Sequence, residues 1–120
     1  MLVNQTTGQV LATQLRPCET FWTRLRGLMF RRSLDPGEAL VFTYTRESVA
    51  GTSIHMFFVP FPIAAIWLDA EKRVVDQVLA RPFRPYYASR VPAQYLIEGA
   101  PELLACTRTG DVLDLQEGVR

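Results

Sequence analysis

The apolar residues of this chain recur mostly at period two, and the longest nearly uncharged run of them, from Ser53 to Asp69, holds its single histidine. An extended backbone sends successive side chains to opposite faces. Ile54, Met56 and Phe58 are therefore expected on one face of a strand and His55, Phe57 and Val59 on the other. Pro60 and Pro62 have no N–H to give and must interrupt the ladder. Beyond them, residues 63–68 are apolar on both faces, the signature of a strand covered above and below. This run predicts the core.

The flanking patterns predict the rest. Residues 1–5 and 9–15 read as a hairpin about Thr6-Thr7-Gly8, with Pro17 ending its second strand. Between Glu19 and Arg31 the period changes: Phe21, Trp22, Leu25, Leu28 and Met29 follow one face of an amphipathic helix. Gly27 inside that pattern costs about 1 kcal/mol against alanine, which marks either close packing or the end of the helix. Asp35-Pro36-Gly37 is a turn. Strands follow over 38–44, 73–80, 94–98 and 112–115, with a polar connection at 45–52, a charged turn at 69–72 and one helical turn over 101–105 led by a proline. Pro82, Pro85 and Pro92 forbid a regular ladder over 81–92, which is expected to be a long loop. The sum is a single α+β domain over 1–120, mostly β. It is a small curved sheet or partly open β-barrel with the 19–31 helix packed on one side and the one-turn helix near the C-terminus.

Composition narrows the function. At 120 residues and 48% apolar the chain suits one soluble globular domain that needs no staple. A net charge of +1 gives no global case for nucleic acid. No apolar segment reaches the roughly 20 residues that span a bilayer. The N-terminus lacks a basic flank followed by an apolar stretch, so a cytoplasmic protein is expected unless a leader has been removed. Cys18 and Cys106 match no metal or redox spacing and are expected as free thiols, with a disulfide open only in an oxidising compartment. No cofactor is implied.

Candidate chemistry is concentrated in a few places. Twelve of the thirteen basic residues are arginine, and Arg24, Arg26, Arg31 and Arg32 fall within nine positions. Arginine suits bidentate recognition of carboxylate or phosphate, while a helix face displaying arginine to water accounts for the same pattern. Arg81, Arg84 and Arg90 alternate with Phe83, Tyr86 and Tyr87, fitting either an anion clamp with a stacked ring or a proline-ordered cover over a sheet edge. His55 reads as a hydrogen-bonded core residue or as a base. A base requires a nucleophile, and sequence gives Ser53, Ser89 and Cys106 no geometric claim to that role. Glu98 follows an apolar triplet and is the acidic residue expected to be half buried, paired with an arginine.

Several of these segments together resemble a known family. Arg24-Leu-Arg-Gly27-Leu-Met-Phe-Arg31, His55-Met-Phe-Phe-Val-Pro-Phe-Pro-Ile63, Arg73-Val-Val75, Tyr95-Leu-Ile-Glu98 and Gly110-Asp111 are similar, in order, to the domain of unknown function 192 family, also called uncharacterised protein family 0127. The resemblance spans roughly residues 10–115. It implies a compact, mostly β domain with a short helix and a cleft, and it carries no assigned reaction. Arg24, Gly27, Arg31, His55 and Glu98 are the positions that match. The chain departs from the family where a Lys-Asn-Thr run is replaced by Phe57, Phe58 and Val59, and where Ala64 stands for an aspartate. These changes imply a more apolar ligand or a lost activity.

The leading expectation is a non-enzymatic module that binds a small anionic ligand or a peptide carboxylate in a cleft. Arg24, Arg31 and Arg84 would neutralise charge, His55, Phe57 and Tyr86 would supply the wall, and Glu98 would complete the site. The alternatives are a hydrolase-like enzyme using His55 as general base and a protein–protein interaction domain using the aromatic loop 83–87.

Overall fold

The computed structural model describes residues 1–18, 27–29 and 31–116. Among them, strands β1 (Leu2–Asn4), β2 (Gln9–Ala12) and β8 (Leu113–Leu115) form a small sheet in the order β2-β1-β8. Strands β3 (Gln14–Cys18), β4 (Glu38–Ser48), β5 (Ile63–Leu68), β6 (Val74–Ala80) and β7 (Ala93–Gly99) form a larger one in the order β3-β4-β7-β5-β6. The two sheets do not close into a barrel.

The central strand β5 is buried along its whole length, as its unbroken apolar run requires. Its side chains alternate between two cores. Ile63, Ala65 and Trp67 join Cys18, Leu40, Phe42 and Leu96 on one face. Ala64, Ile66 and Leu68 join Val41, Ile97 and Leu103 on the other, beneath the small sheet and a 3-10 helix, Pro101–Ala105. The first face is covered by loops, with Leu28, Ile54, Met56 and Val59 packed down on it. This loop-covered face carries the site.

Three expectations need correction. The helix over 19–31 is not borne out: residues 19–26 and 30 lie outside the described residues, Gly27 to Met29 form a turn, and no described helix reaches seven residues. Gly27 sits at φ 46, a left-handed conformation that a right-handed helix does not contain.

The strand over 53–59 is reduced to one bridge, Ile54 with Tyr87. Alternation holds from Ile54 to Phe57 and fails at Phe58, where φ turns to 62, so Phe58 is exposed and Val59 buried. The segment pairs irregularly with the proline loop instead, Met56 N donating to Arg84 O at 2.8 Å and Phe83 N to Met56 O at 3.0 Å.

Pro17, expected to end a strand, lies inside β3, which runs parallel to β4 from Gln14 opposite Glu38 to Cys18 opposite Phe42. It is tolerated because β3 is an edge strand whose outer N–H groups have no ladder to feed. Cys18 and Cys106 are both free thiols.

Candidate functional site

Register across the larger sheet brings the site together. Leu40 of β4 lies opposite Glu98 of β7, and Phe42 opposite Leu96, so the i, i+2 pairs Leu40/Phe42 and Leu96/Glu98 share the loop-covered face. Above them two loops stand apart and leave a cleft of about 270 Å³. Phe42, Tyr44, Leu96 and Glu98 form its floor; Gly27, Leu28 and Met29 wall one side; Gly51, Ser53 to Met56 and Val59 wall the other.

The second wall is anchored by tryptophan. Trp67 Nε1 donates to Thr52 O at 2.8 Å, and Thr52 Oγ1 donates to Ser48 O at 2.8 Å, both with Thr52 fully buried. Because an indole N–H inside a core must find an acceptor, Trp67 fixes the height of the loop that presents Ser53 and His55. Ser53 Oγ donates to Ala50 O at 2.8 Å. His55 Nδ1 accepts from Phe57 N at 3.2 Å, and the two rings lie 5.2 Å apart. That bond places the proton of the neutral ring on Nε2.

Gly27 defines the closest approach of the first wall. A Cβ there would lie 3.4 Å from Phe42 Cζ and 3.8 Å from a carboxyl oxygen of Glu98. Glu98 itself is 7% exposed. Burial pushes its pKa up to about 8. Burial first, and then Glu98, also push the Cys18 thiol up to about 11, which leaves this cysteine unreactive.

The structure separates the residues singled out in the sequence. His55 and Glu98 line the cleft together. Phe57 and Tyr86 are exposed, at 48% and 61%, and neither is a lining residue. Arg84 is exposed and outside the lining as well. Arg31 is committed elsewhere: its Nη1 and Nη2 donate to Glu38. Arg24 lies outside the described residues. Sequence reasoning missed Met29, Phe42, Tyr44 and Leu96, and named Ser53 without a geometric claim to the site. The alternation of β4 and β7 shows that Phe42 and Leu96 face inward, but only strand register shows that they face the same space. Among the described residues no three His, Cys, Asp or Glu side chains gather as metal ligands would.

Comparison with known proteins places this geometry. The model of the DUF192 family, described as "Uncharacterized ACR", matches residues 2–115. A UPF0127 protein of Thermococcus kodakarensis is 40% identical over 118 residues, which are 98% of this chain and 69% of the relative. A UPF0127 protein of Thermococcus gammatolerans is likewise 40% identical over 118 residues, 98% of this chain and 71% of that protein. Among solved structures, a protein of unknown function from Novosphingobium aromaticivorans superposes with a TM-score of 0.83 at 21% identity, covering 94% of this chain and 81% of the other. A putative transcription regulator from Sinorhizobium meliloti gives 0.77 at 19% identity, covering 94% and 88%. At such identities the likeness is one of fold.

Proposed function

The chain belongs to the DUF192 family, also called UPF0127, and from that premise we propose that it is a non-enzymatic module binding a small ligand in the cleft over β4 and β7. Glu98 and His55 meet the ligand's polar end, and Phe42, Met29, Met56 and Leu96 hold its apolar part. The observation that carries this reading is Glu98. A buried carboxyl is costly to a fold, and this one lines a cavity among apolar side chains, the usual composition of a ligand site. The expectation of an anionic ligand rested on arginines, and of those described neither Arg31 nor Arg84 reaches the lining. Arg24 lies outside the described residues, and among the described ones the support that remains is the His55 Nε2–H.

A hydrolytic role for His55 has less support. Ser53 shares the cleft, yet its hydroxyl is given to Ala50 O rather than to the imidazole, so among the described residues no activated nucleophile is assembled.

The test is a thermal-shift screen of anions, amines, sugars, nucleotides and short peptides against the wild type, His55→Ala and Glu98→Gln. A ligand at a hundred times its Kd stabilises by about 2.7 kcal/mol, enough to move Tm visibly. The expected result is a ligand whose shift shrinks in both variants. A screen without any shift, or a shift unchanged in both variants, overturns the reading.

A further inference from the structure

Among the described residues the exposed aromatic side chains are Phe57, Phe58, Phe83 and Tyr86, at 48, 56, 60 and 61%, and all four fall in two segments of the chain. The segments are stitched together. Ile54 N donates to Tyr87 O at 2.8 Å and Tyr87 N to Ile54 O at 2.9 Å, while Met56 N donates to Arg84 O at 2.8 Å and Phe83 N to Met56 O at 3.0 Å. Each segment then makes a turn. Val59 N donates to Met56 O across Phe57 and Phe58, and Arg84 N donates to Arg81 O across Pro82 and Phe83. The third residue of both turns has positive φ, 62 at Phe58 and 65 at Phe83, where glycine is the low-energy choice. Strain carried by largely exposed rings adds little to a core and points to a partner.

We propose that these two turns are the face by which the protein docks on an anionic lipid surface, with the rings entering the headgroup region and Arg81 and Arg84 meeting phosphate. The inference is independent of the ligand proposed for the cleft. Charge complementarity selects the partner. Residues 48–68 and 77–97 hold none of the chain's twelve acidic residues, and their charged side chains are Arg81, Arg84 and Arg90. Arg90 is taken by Asp76, whereas Arg81 and Arg84 are exposed and, among the described residues, no carboxylate pairs with either. Ile63 pairs with Ala80 at the end of β5 and β6 next to these turns, and Asp69 and Glu71 stand in the connection at the other end, beyond Leu68 and Val74.

A lipid surface is anionic in every direction and so demands a face without carboxylates, while a protein partner is served as well by a rim of mixed sign. Phenylalanine beside arginine is also the composition of interfacial anchors. None of the four rings lines the cleft, and two arginines make no track for the phosphates of a nucleic acid strand. Met56 and Val59, the two ends of the first turn, do line it. Docking therefore brings that wall of the cleft close to the membrane.

The test is co-sedimentation of the whole chain with vesicles of phosphatidylcholine alone and of phosphatidylcholine with about one-third phosphatidylserine, at low and at high salt. Expected is binding to the anionic vesicles that weakens with salt, and little binding to the neutral ones. Arg81→Gln and Arg84→Gln should each weaken it about fivefold, and Phe83→Gly about tenfold. Because glycine suits the positive φ at this position, the Tm of Phe83→Gly should stay close to that of the wild type, which separates docking from folding. The fluorescence of Phe83→Trp, less that of the wild type, should shift to the blue on anionic vesicles. Binding to neither vesicle, equal binding to both, or anionic binding unchanged in these variants overturns the proposal. Poly-glutamate and oligothymidylate are run alongside. If either binds with the same dependence on Arg84 and Phe83 while vesicles do not, the face serves a protein or a nucleic acid and the lipid assignment is wrong.

Discussion

Arg31 grips Glu38 with two parallel hydrogen bonds, Nη1 to Oε2 at 2.9 Å and Nη2 to Oε1 at 2.7 Å, and the carboxylate side chain they hold is wholly inaccessible to solvent. Arg16 Nε adds a third contact to the same carboxylate at 2.7 Å. The pair joins the loop after Met29 to the first residue of β4. Removing one partner of a buried pair leaves an uncompensated charge. Arg31→Ala should therefore cost about 3 kcal/mol, the low end of the range because Arg16 remains. Urea denaturation reads the loss, and a cost under about 1 kcal/mol would mean that the pair behaves as a surface bridge.

Two buried glutamates should give the stability curve opposite slopes. The hydrogen bonds from Arg31 lead in holding Glu38 below the ordinary carboxylate range despite its burial. Its contribution is present above that range and is lost as pH falls through the depressed value. Glu98 is raised from 4.5 to about 8 by burial. The unfolded chain ionises first as pH rises, so the stability associated with Glu98 is complete below about 4.5 and declines until about 8, where it levels. Urea midpoints measured across this window should fall with pH in the wild type and stay flat in Glu98→Gln. A wild-type curve already flat there would remove the case for a buried neutral carboxyl.

Asp76 ties the proline loop to β6 by accepting from Arg90 N, Nε and Nη2 at 3.0, 3.2 and 2.8 Å. Burial acts to raise its pKa, and these bonds, with that from Gln77 N, outweigh it and lower the value. Asp76→Ala should cost about 2 kcal/mol, because it strands the backbone N–H groups of Arg90 and Gln77. Arg90→Ala should cost less, since its side chain is 83% exposed. Hydrogen exchange at the Arg90 amide should accelerate in the first variant and stay slow in the second.

Gly27→Ala should act on the fold and the cleft together. At φ 46 an alanine is strained by roughly 1–2 kcal/mol, and its methyl would come into van der Waals contact with Phe42 Cζ at 3.4 Å, on the cleft floor. The expected outcome is a modest loss in Tm with a larger loss in ligand affinity. Unchanged affinity would show that the ligand does not pass between Gly27 and Phe42.

Much of the fold is legible in the chain because burial leaves a local trace. The apolar run at 63–68 becomes the fully buried β5, the Asp35-Pro36-Gly37 turn forms with Gly37 at φ 74, and Pro101 opens a 3-10 helix. The errors lie where local signals compete. Pro17 reads as a terminator, yet an edge position costs it nothing, and the alternation through 53–59 is cut by a left-handed Phe58 that no composition rule anticipates. The arginine cluster showed an abundance of positive charge without showing which acid would take it.

What the sequence by itself determined is which side chains turn inward, because period two and the placement of prolines are properties of neighbouring residues. It also singled out His55 and Glu98. Tertiary structure alone decided who meets whom: parallel pairing of β3 with β4 brings Arg16 to Glu38, the segment ahead of β4 brings Arg31 to the same carboxylate, and antiparallel register of β4 with β7 sets Glu98 beside Phe42 under Gly27. These contacts join residues far apart in the chain, and their pairing depends on strand register and loop path. Local patterning encodes neither, so one buried glutamate is clamped by arginines and another lines the cleft.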